Sequence, residues 1–224
     1  MLEQFKIPAK DRVVVREDRI RTALEAIFLK MGQTEEDARL SADVLVMADL
    51  RGVESHGASN MVKRYVAWYN DGHINPRPQV RVLRQSSVTA TLDADAGLGL
   101  HTGPRAMQIA IEKAAQHGIG AVTVQNARHL GMLAYHAMLP LKHDMIGVCM
   151  SSADGRLMLP VFGAEPVFGT HPIAWAAPSR RMPPFVFDIA TTQVAGNKIA
   201  HAHRIGSEIM PGWLARKDGT PLME

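Results

Sequence analysis

The sequence predicts an α/β protein with a helical N-terminal region, and three patterns support this. Apolar residues recur at helical spacing through the first third of the chain. The segment at residues 75–78 (NPRP) then interrupts the helical pattern, because proline cannot continue a helix. After it, short runs rich in β-branched residues alternate with amphipathic segments. We therefore expect a helical region at residues 1–76 and an α/β domain at residues 77–224.

Three helices are expected in the N-terminal region. The first covers residues 17–30 and stops at Gly32, the second opens at Thr34 and runs to about residue 50, and the third covers residues 58–70. Acidic residues fill the first turn of the second helix, where they oppose the positive end of the helix dipole.

Strands and helices are expected to alternate beyond the proline segment. Strands are predicted at residues 80–83, 87–92, 121–124, 146–150, 173–177 and 185–188, and helices at residues 103–117, 133–143 and 191–205. A short link joins the first two strands, which favours a hairpin and at least one antiparallel pair. The last strand, at residues 185–188, is expected to be buried. The pattern does not settle whether the rest of the sheet is parallel.

Composition and charge favour a small-molecule enzyme over a nucleic-acid-binding protein. Hydrophobic residues make up 46% and charged residues 21% of the 224, as in ordinary globular proteins. The net charge is +3, but Lys and Arg never cluster beyond a pair and aromatic residues are only 5%. A nucleic-acid footprint requires clustering. We expect an enzyme that attracts anionic substrates.

Cysteine usage and hydropathy predict a cytoplasmic protein with no membrane partner. The single cysteine, Cys149, excludes an internal disulfide framework and fits a reducing compartment. It lies in an apolar run and is expected to be a small buried strand residue. The first six residues lack the pattern of a signal peptide, and no apolar stretch has transmembrane length.

A glycine-rich segment at residues 97–103 (GLGLHTG) invites comparison with the Rossmann fingerprint. Its third glycine stands one place too late, and the following strand ends in Gln125 and Asn126 rather than an acidic residue. A flexible strand-to-helix turn is the favoured interpretation. A dinucleotide would have to bind in another way.

Residues 51–57 (RGVESHG) form the first of three segments suited to chemistry. They connect the second and third helices and place His56 beside Ser55 between glycines. The pKa of imidazole lies near neutrality, which suits general acid/base catalysis. An equally good interpretation is that His56 caps the third helix.

The other two segments follow strands. Residues 126–131 (NARHLG) place His129 after a strand, where ligands often bind in α/β folds, although a surface turn explains it equally well. Residues 187–192 (FDIATT) deliver Asp188 into a hydroxyl-rich turn, where it either caps the next helix or accepts a hydrogen bond from a catalytic imidazole.

The remaining histidines receive less weight. His201 and His203 diverge on a helix, so no metal site is expected there. Solvated turns or helix ends are expected for four others, namely His73, His101, His117 and His143.

Taken in order, these segments resemble the malate/L-lactate dehydrogenase family, which also contains ureidoglycolate, sulfolactate and diketogulonate-type enzymes. The matching segments are residues 49–57, 126–131, 162–163, 169–174, 187–192 and 198–199, with order and spacing agreeing from about residue 17 onward. The resemblance implies a non-Rossmann, largely antiparallel nucleotide-binding sheet flanked by helices, with a helical substrate-side region. It also implies a homodimer or larger assembly, NAD or NADP as cofactor, and hydride transfer to or from a small 2-hydroxy or 2-oxo acid.

The resemblance assigns roles to particular residues. It implies that His56 is the acid/base, that Asp188 supports the histidine, and that His129 lies close to the substrate. The sequence does not rank the two histidines. Ser55 and a carboxylate-binding cation, Arg51 or Arg64, complete the substrate side. The cofactor-facing residues would be Ser152, Gly169, Thr170, His171, Pro172, Asp188, Ile189, Ala190, Thr191 and Lys198.

Two positions and the C-terminal end depart from the family pattern. His171 stands where the family usually has Asn, and Asn60 stands where many members carry Arg. The family also continues beyond the segment matching residues 212–219, so we expect the C-terminal part of its fold to be missing. Two alternatives to an active 2-hydroxy acid dehydrogenase therefore stay open: a cyclic imino acid reductase of the same family, and an inactive truncated fragment.

Overall fold

A computed structural model describes residues 10, 13–152 and 155–222 of the chain. The described part contains six α-helices: α1 Glu17–Lys30, α2 Glu35–Leu50, α3 Ala58–Asn70, α4 Gly99–His117, α5 Leu133–Met138 and α6 Gly196–Ile205. Short 3-10 helices lie at Glu54–His56 and Leu139–His143. The first six residues, where the sequence predicts no signal peptide, lie outside the described residues. No described helix is long and apolar enough to span a membrane.

The described strands form two three-stranded sheets and a small hairpin. The first sheet contains β1 Arg81–Gln85, β2 Thr89–Asp93 and β3 Ala121–Gln125; the second contains β4 Gly147–Met150, β5 Ile173–Ala177 and β6 Phe185–Ile189; β7 Leu214–Ala215 pairs with β8 Pro221–Leu222. The pair β1–β2 is antiparallel, as the short link predicts. Strands β2 and β3 pair in parallel, and α4 connects them in the chain. Both pairs of the second sheet are antiparallel. The described sheets are therefore largely antiparallel, as expected.

The three N-terminal helices have the boundaries that the sequence predicts. Thr34 caps α2, since its Oγ1 accepts a hydrogen bond from the Asp37 N–H at 3.2 Å and donates to Asp37 Oδ2 at 2.8 Å. After α1, Gly32 adopts a φ of 95°, which glycine reaches without strain. Local signals set these ends.

The largest core joins the N-terminal helices to α4 and α5. Its buried members include Phe28, Leu45, Tyr65, Leu98, Leu100 and Tyr135. At its edge, the Tyr135 hydroxyl donates to Asp43 Oδ2 at 2.6 Å, and Arg21 donates to Asp43 Oδ1 at 2.6 Å. The division at residue 76 stays a prediction, and this core draws on residues from both sides of it.

Helix α4 begins at Gly99, four residues before the predicted start. The glycines of this segment are packing positions and do not make a flexible turn. A Cβ added at Gly99 would lie 2.6 Å from Leu130 Cγ, and one at Gly103 would lie 2.7 Å from His136 Cε1. Glycine is therefore required because neighbouring elements approach the helix closely.

Two other predicted helices are shorter than expected. The predicted helix at residues 133–143 divides into α5 and a 3-10 helix, because Pro140 has no N–H to continue an α-helix. The predicted helix at residues 191–205 begins only at Gly196. The Thr191 N–H and hydroxyl both donate to Thr170 O, at 3.0 and 3.1 Å, which holds the preceding residues in a bend.

The prediction that His101 is solvated was wrong. His101 lies inside α4 and its side chain is fully buried. Its Nδ1 is 3.1 Å from Asp37 Oδ1, which is also 2.8 Å from Arg105 Nη2. Burial alone would raise the pKa of Asp37, but His101, Thr34 and Arg105 together hold that pKa below its ordinary value. This contact between α2 and α4 cannot be read from local sequence.

Within residues 13–152 and 155–222, the second sheet is covered on one face only. Ala174 and Ala176 are buried against α5. Side chains alternate along a strand, so the other face carries Trp175, Phe185 and Phe187, which are 43%, 59% and 43% exposed. The expectation that β6 is a buried strand was therefore wrong within the described structure.

Candidate functional site

The histidines of the first two predicted segments lie together. His56 comes from the 3-10 helix between α2 and α3, and His129 comes from the loop after β3. Their rings stack with centroids 5.5 Å apart and planes inclined by 12°. Two imidazoles that are 73 residues apart in the sequence thus form one stacked pair, at the junction of the helices and the first sheet.

Close packing against α2 shapes the turn that carries His56. The Asp49 carboxylate accepts a hydrogen bond from the Ala58 N–H at 2.9 Å and covers the N-terminus of α3. A side chain at Gly57 would overlap the Asp49 carboxylate. Gly52 adopts a φ of 69°, in the left-handed region that favours glycine. Both glycines of the motif therefore have structural roles in aiming His56.

Tyr65 contacts His129 and was not among the site residues predicted from the sequence. Its hydroxyl lies 2.7 Å from His129 Nδ1, and the Gly131 N–H donates to the same nitrogen at 3.1 Å. A backbone N–H can only donate, so Nδ1 is the unprotonated nitrogen. His129 is thus held as the tautomer that carries its proton on Nε2.

His56 has a more adaptable partner. Ser55 Oγ lies 2.9 Å from His56 Nδ1. A hydroxyl both donates and accepts, so Ser55 can pair with either neutral tautomer of the ring. His56 Nε2 can therefore carry a proton or accept one, in contrast to His129.

Both imidazoles are held neutral. Burial, followed by the positive charge of Arg64, lowers the pKa of His56 to about 4. Burial, followed by the charges of His56, Arg64 and His136, lowers the pKa of His129 to about 3. The positive charge of Arg64 thus contributes to both lowered pKa values.

The two candidate cations occupy different surroundings. The Arg64 guanidinium is exposed and lies 5.9 Å from the centre of the Trp68 ring, beside the histidines. Arg51 is exposed at the end of α2, and its side chain makes no hydrogen bond within the described residues. The structure thus brings Ser55, Arg64 and both histidines together and leaves Arg51 apart from these contacts.

Asp188 lies on β6, and its carboxylate caps the N-terminus of α5. Its Oδ2 accepts a hydrogen bond from the Ala134 N–H at 2.7 Å. The residue is exposed overall, but partial burial of the carboxylate raises its pKa against the opposing effect of the backbone donors of Ala134 and Leu133. Among the described residues, no hydrogen bond joins Asp188 to an imidazole. The predicted support of a catalytic histidine by Asp188 therefore does not occur as a direct contact.

The predicted cofactor-facing segments meet at one end of the second sheet. At this end of the sheet, β4 ends, β5 begins and β6 ends. The Ser151 N–H donates to Pro172 O at 3.2 Å, and Thr191 donates to Thr170 O. His171 adopts a φ of 36°, and its Nε2 accepts a hydrogen bond from the Gly169 N–H at 3.2 Å. The segments of Ser152, Gly169–Pro172 and Asp188–Thr191 therefore adjoin one another.

Helix α6 follows β6 in the chain and contacts the turn that carries His56. Lys198 lies exposed in its first turn. The preceding residue, Asn197, donates a side-chain hydrogen bond to Ser55 O at 2.8 Å. The predicted cofactor-side and substrate-side segments are thus neighbours. Among the described residues, no group of three or more His, Cys, Asp or Glu side chains is arranged to hold a metal ion.

Comparison with known proteins gives a consistent result. The chain is 42% identical over 205 residues to malate dehydrogenase from Pyrococcus horikoshii, which covers 92% of this chain and 56% of that relative. It is 39% identical over 195 residues to L-sulfolactate dehydrogenase from Methanocaldococcus jannaschii, covering 87% of this chain and 56% of the relative.

A solved structure shares the fold. The malate dehydrogenase structure from Entamoeba histolytica superposes with a TM-score of 0.90 at 34% identity, covering 93% of this chain and 58% of that one. The chain thus spans just over half the length of the relatives that it matches. The family model described as malate/L-lactate dehydrogenase matches residues 15–224. The chain therefore belongs to the malate/L-lactate dehydrogenase family.

Proposed function

We propose that this chain carries the acid/base centre of an NAD(P)-dependent oxidoreductase that interconverts a small 2-hydroxy acid and the corresponding 2-oxo acid. The observation that supports the proposal most directly is the stacked pair of neutral imidazoles beside the Arg64 guanidinium. Malate and sulfolactate, the substrates in the names of two relatives, both carry a hydroxyl next to a carboxylate.

The two rings have complementary roles in this proposal. His129 carries its proton on Nε2, because Gly131 and Tyr65 occupy Nδ1, so it donates a hydrogen bond to the substrate oxygen. His56 can accept at Nε2 while its Nδ1 pairs with Ser55, so it removes the hydroxyl proton during oxidation and returns it during reduction. This assigns His56 as the acid/base and His129 as the group that orients the oxygen.

Arg64 is the proposed carboxylate clamp. An arginine presents two parallel N–H donors that match a carboxylate. Its positive charge also lowers the pKa of both imidazoles, so a bound carboxylate that neutralises this charge would raise both pKa values toward the working range. Arg51 lacks a comparable position beside the histidines and is the weaker candidate.

The cofactor is proposed to bind where the three segments meet at the end of the second sheet. The residues there suit a nucleotide: Thr170 and Thr191 bring hydroxyl groups, and Lys198 brings an exposed cation at the start of α6. A bound nicotinamide would supply or accept the hydride. The remaining proposed contacts are Ser152, Gly169, His171, Pro172, Asp188, Ile189 and Ala190.

The proposal includes a cytoplasmic homodimer or larger homo-oligomer. The exposed apolar face of the second sheet supports an assembly, because such faces mark interaction surfaces. The single cysteine supports a reducing compartment. Burial raises the pKa of the Cys149 thiol to about 12, so this half-buried strand residue stays a protonated thiol.

Cofactor binding is the first test. NADH and NADPH are titrated into the purified protein while nicotinamide fluorescence is followed. We expect saturable binding of one or both, weakened about tenfold by Lys198→Ala because a charged hydrogen bond is lost, and weakened also by Asp188→Ala. Lys142→Ala removes an exposed lysine of the 3-10 helix and serves as the matched control.

The acid/base assignment is tested once a cofactor binds. Small 2-oxo acids are screened for NAD(P)H oxidation, with His56→Ala and His129→Ala as the informative variants. We expect both variants to retain cofactor binding and to lose turnover. If the folded protein binds neither cofactor, this chain is an inert part of an oxidoreductase and the proposal fails.

A further inference from the structure

Helix α6 makes a direct hydrogen bond to the turn that carries His56. The Asn197 side chain donates from Nδ2 to Ser55 O at 2.8 Å and lies 3.3 Å from Met61 Sδ. Asn197 is partly buried, and 142 residues separate it from Ser55. The contact therefore joins a late helix to the residue that immediately precedes the proposed acid/base.

A second arm from α6 reaches the same turn. Arg204 Nη1 donates to Asn60 Oδ1 at 2.8 Å, and Asn60 Nδ2 donates to Glu54 O at 2.7 Å. Residues 197 and 204 are seven apart, or about two helical turns, so they lie on one face of α6. One face of α6 thus holds the Ser55 carbonyl directly and the Glu54 carbonyl indirectly, through Asn60 of α3.

The remaining restraints on the turn are local. The His56 N–H donates to Val53 O at 2.9 Å, and the Gly57 N–H donates to Glu54 O at 3.3 Å. These bonds shape the turn but do not hold it against the rest of the molecule. Asp49 holds the turn from its C-terminal side, through the Ala58 N–H. Among the described residues, Asn197 of α6 donates to the Ser55 carbonyl from a distant part of the chain, and Arg204 of α6 acts on the Glu54 carbonyl only through Asn60.

We propose that Asn197 is a positioning residue that, with the arm formed by Arg204 and Asn60, holds the Glu54–His56 turn so that the His56 ring stays stacked on His129. The importance of this role rests on the proposed acid/base function of His56. Because Lys198 follows Asn197 on the same helix, the element proposed to contact the cofactor also sets the position of the proton-transferring ring.

The test is an NMR titration of the imidazole C–H signals in the full chain without cofactor. In the parent protein, burial and the positive charge of Arg64 lower the pKa of His56 to about 4, and its ring stacks on that of His129. In Asn197→Ala the Ser55 carbonyl loses its donor, the turn loosens and water reaches the ring. We expect the His56 pKa to rise toward 6.5.

Three comparisons separate a positioning role from general damage to the fold. The pKa of His136, which burial lowers to about 4 in α5, should not change. His203→Ala alters the exposed side of α6 and should leave the His56 pKa at its parent value. Asn197→Leu fills the same space without donating, so it should act like Asn197→Ala if the hydrogen bond matters.

Asn60→Ala breaks the second arm and should raise the His56 pKa by a smaller amount, which keeps the test decisive if an Asn197 variant does not fold. The proposal is overturned if a folded Asn197 variant leaves the His56 pKa unchanged. If neither Asn197 variant folds, an unchanged His56 pKa in Asn60→Ala overturns it. This readout needs no cofactor, so it is independent of the NADH titration. Failure of the proposed function and failure of the positioning role are therefore distinguishable.

Discussion

The Nδ1 atoms of His56 and His129 are both occupied by protein groups, so each ring presents Nε2 for chemistry. Their partners differ, because a hydroxyl can donate or accept whereas a backbone N–H can only donate. One ring is consequently fixed as a donor and the other can switch. An alcohol oxygen needs both a donor and a proton acceptor, which makes the asymmetry chemically useful.

The tautomer argument predicts the effect of Tyr65→Phe. The hydroxyl of this fully buried residue is removed, and His129 Nδ1 keeps only the Gly131 N–H. We expect the free energy of unfolding to fall by about 1 kcal/mol, the usual contribution of one hydrogen bond. Urea unfolding measures it. Tyr69→Phe is the control, since the Tyr69 hydroxyl makes no hydrogen bond within the described residues. An equal loss in both variants would contradict the assigned contact.

The depressed histidine pKa values predict that acid destabilises the fold. His56, His129 and His136 have folded pKa values of about 4, 3 and 4, below the unfolded value of 6.5. Below pH 6.5 the unfolded chain therefore binds protons that the folded chain does not. The free energy of unfolding should decrease as the pH falls from 6.5 to about 4, and these groups should contribute no slope above 6.5.

Urea unfolding at pH 7 and pH 5 measures this slope. His136→Gln should reduce the difference between the free energies of unfolding at pH 7 and pH 5. The reason is that His136 is 1% exposed and its Nε2 donates to Leu130 O at 2.9 Å. His117→Gln removes an exposed histidine at the end of α4 and should leave the difference unchanged. A pH dependence unaltered in His136→Gln would show that this imidazole is not held neutral by the fold.

At the scale of the elements, Asp188 illustrates how a strand can cap a distant helix. Helix α5 is only six residues long, and its local N-cap residue, Met132, provides no side-chain acceptor. The carboxylate that accepts the Ala134 N–H comes from β6. The residue thus ties the second sheet to α5, whether or not it also contacts the cofactor.

Removal of this cap should destabilise the protein. We expect Asp188→Ala to lower the free energy of unfolding by about 0.5–2 kcal/mol, as for loss of a helix cap. Asp188→Asn keeps an oxygen acceptor and should cost less. Thermal and urea unfolding of the two variants give the comparison. If both variants were as stable as the parent protein, the hydrogen bond between Asp188 and Ala134 would contribute nothing to the stability of the fold.

Sequence predicts elements well where their ends are marked locally. The limits of α1, α2 and α3 follow from signals within a few residues, such as the Thr34 cap and the stop at Gly32. The start of α4 was misplaced because Gly99 and Gly103 suggest a turn in isolation, whereas Leu130 and His136 pack closely against them. Contacts of this kind come from distant segments and leave no local pattern.

The candidate site follows the same rule. Residue type and glycine context were enough to single out His56 and His129, because those features are local. Their stacking, and the contacts of Tyr65 with His129 and of Asn197 with Ser55, join segments separated by 64 to 142 residues. Tyr65 sits in an apolar helix face, and its sequence neighbours indicate only a core residue.

At the scale of the whole molecule, the second sheet leaves an apolar surface in water. Opposite partners in an antiparallel sheet share a face, and Trp175 pairs with Phe187 while Ala177 pairs with Phe185. Ile173 pairs with Ile189, which is 49% exposed, and extends the same face. A contiguous face of this kind favours association, whereas single exposed apolar residues are ordinary.

This difference between a face and an isolated residue can be measured. The double variant Phe185→Ser with Phe187→Ser should bind less of the hydrophobic dye ANS and self-associate less in sedimentation, because two of the largest side chains on the face are removed. The free energy of unfolding should change little, since both side chains are exposed. Leu50→Ser is the matched control, because Leu50 is 58% exposed but lies on α2, away from the second sheet. If ANS binding fell equally in the control, dye binding would reflect general apolar exposure, and the sheet face would have no special tendency to associate.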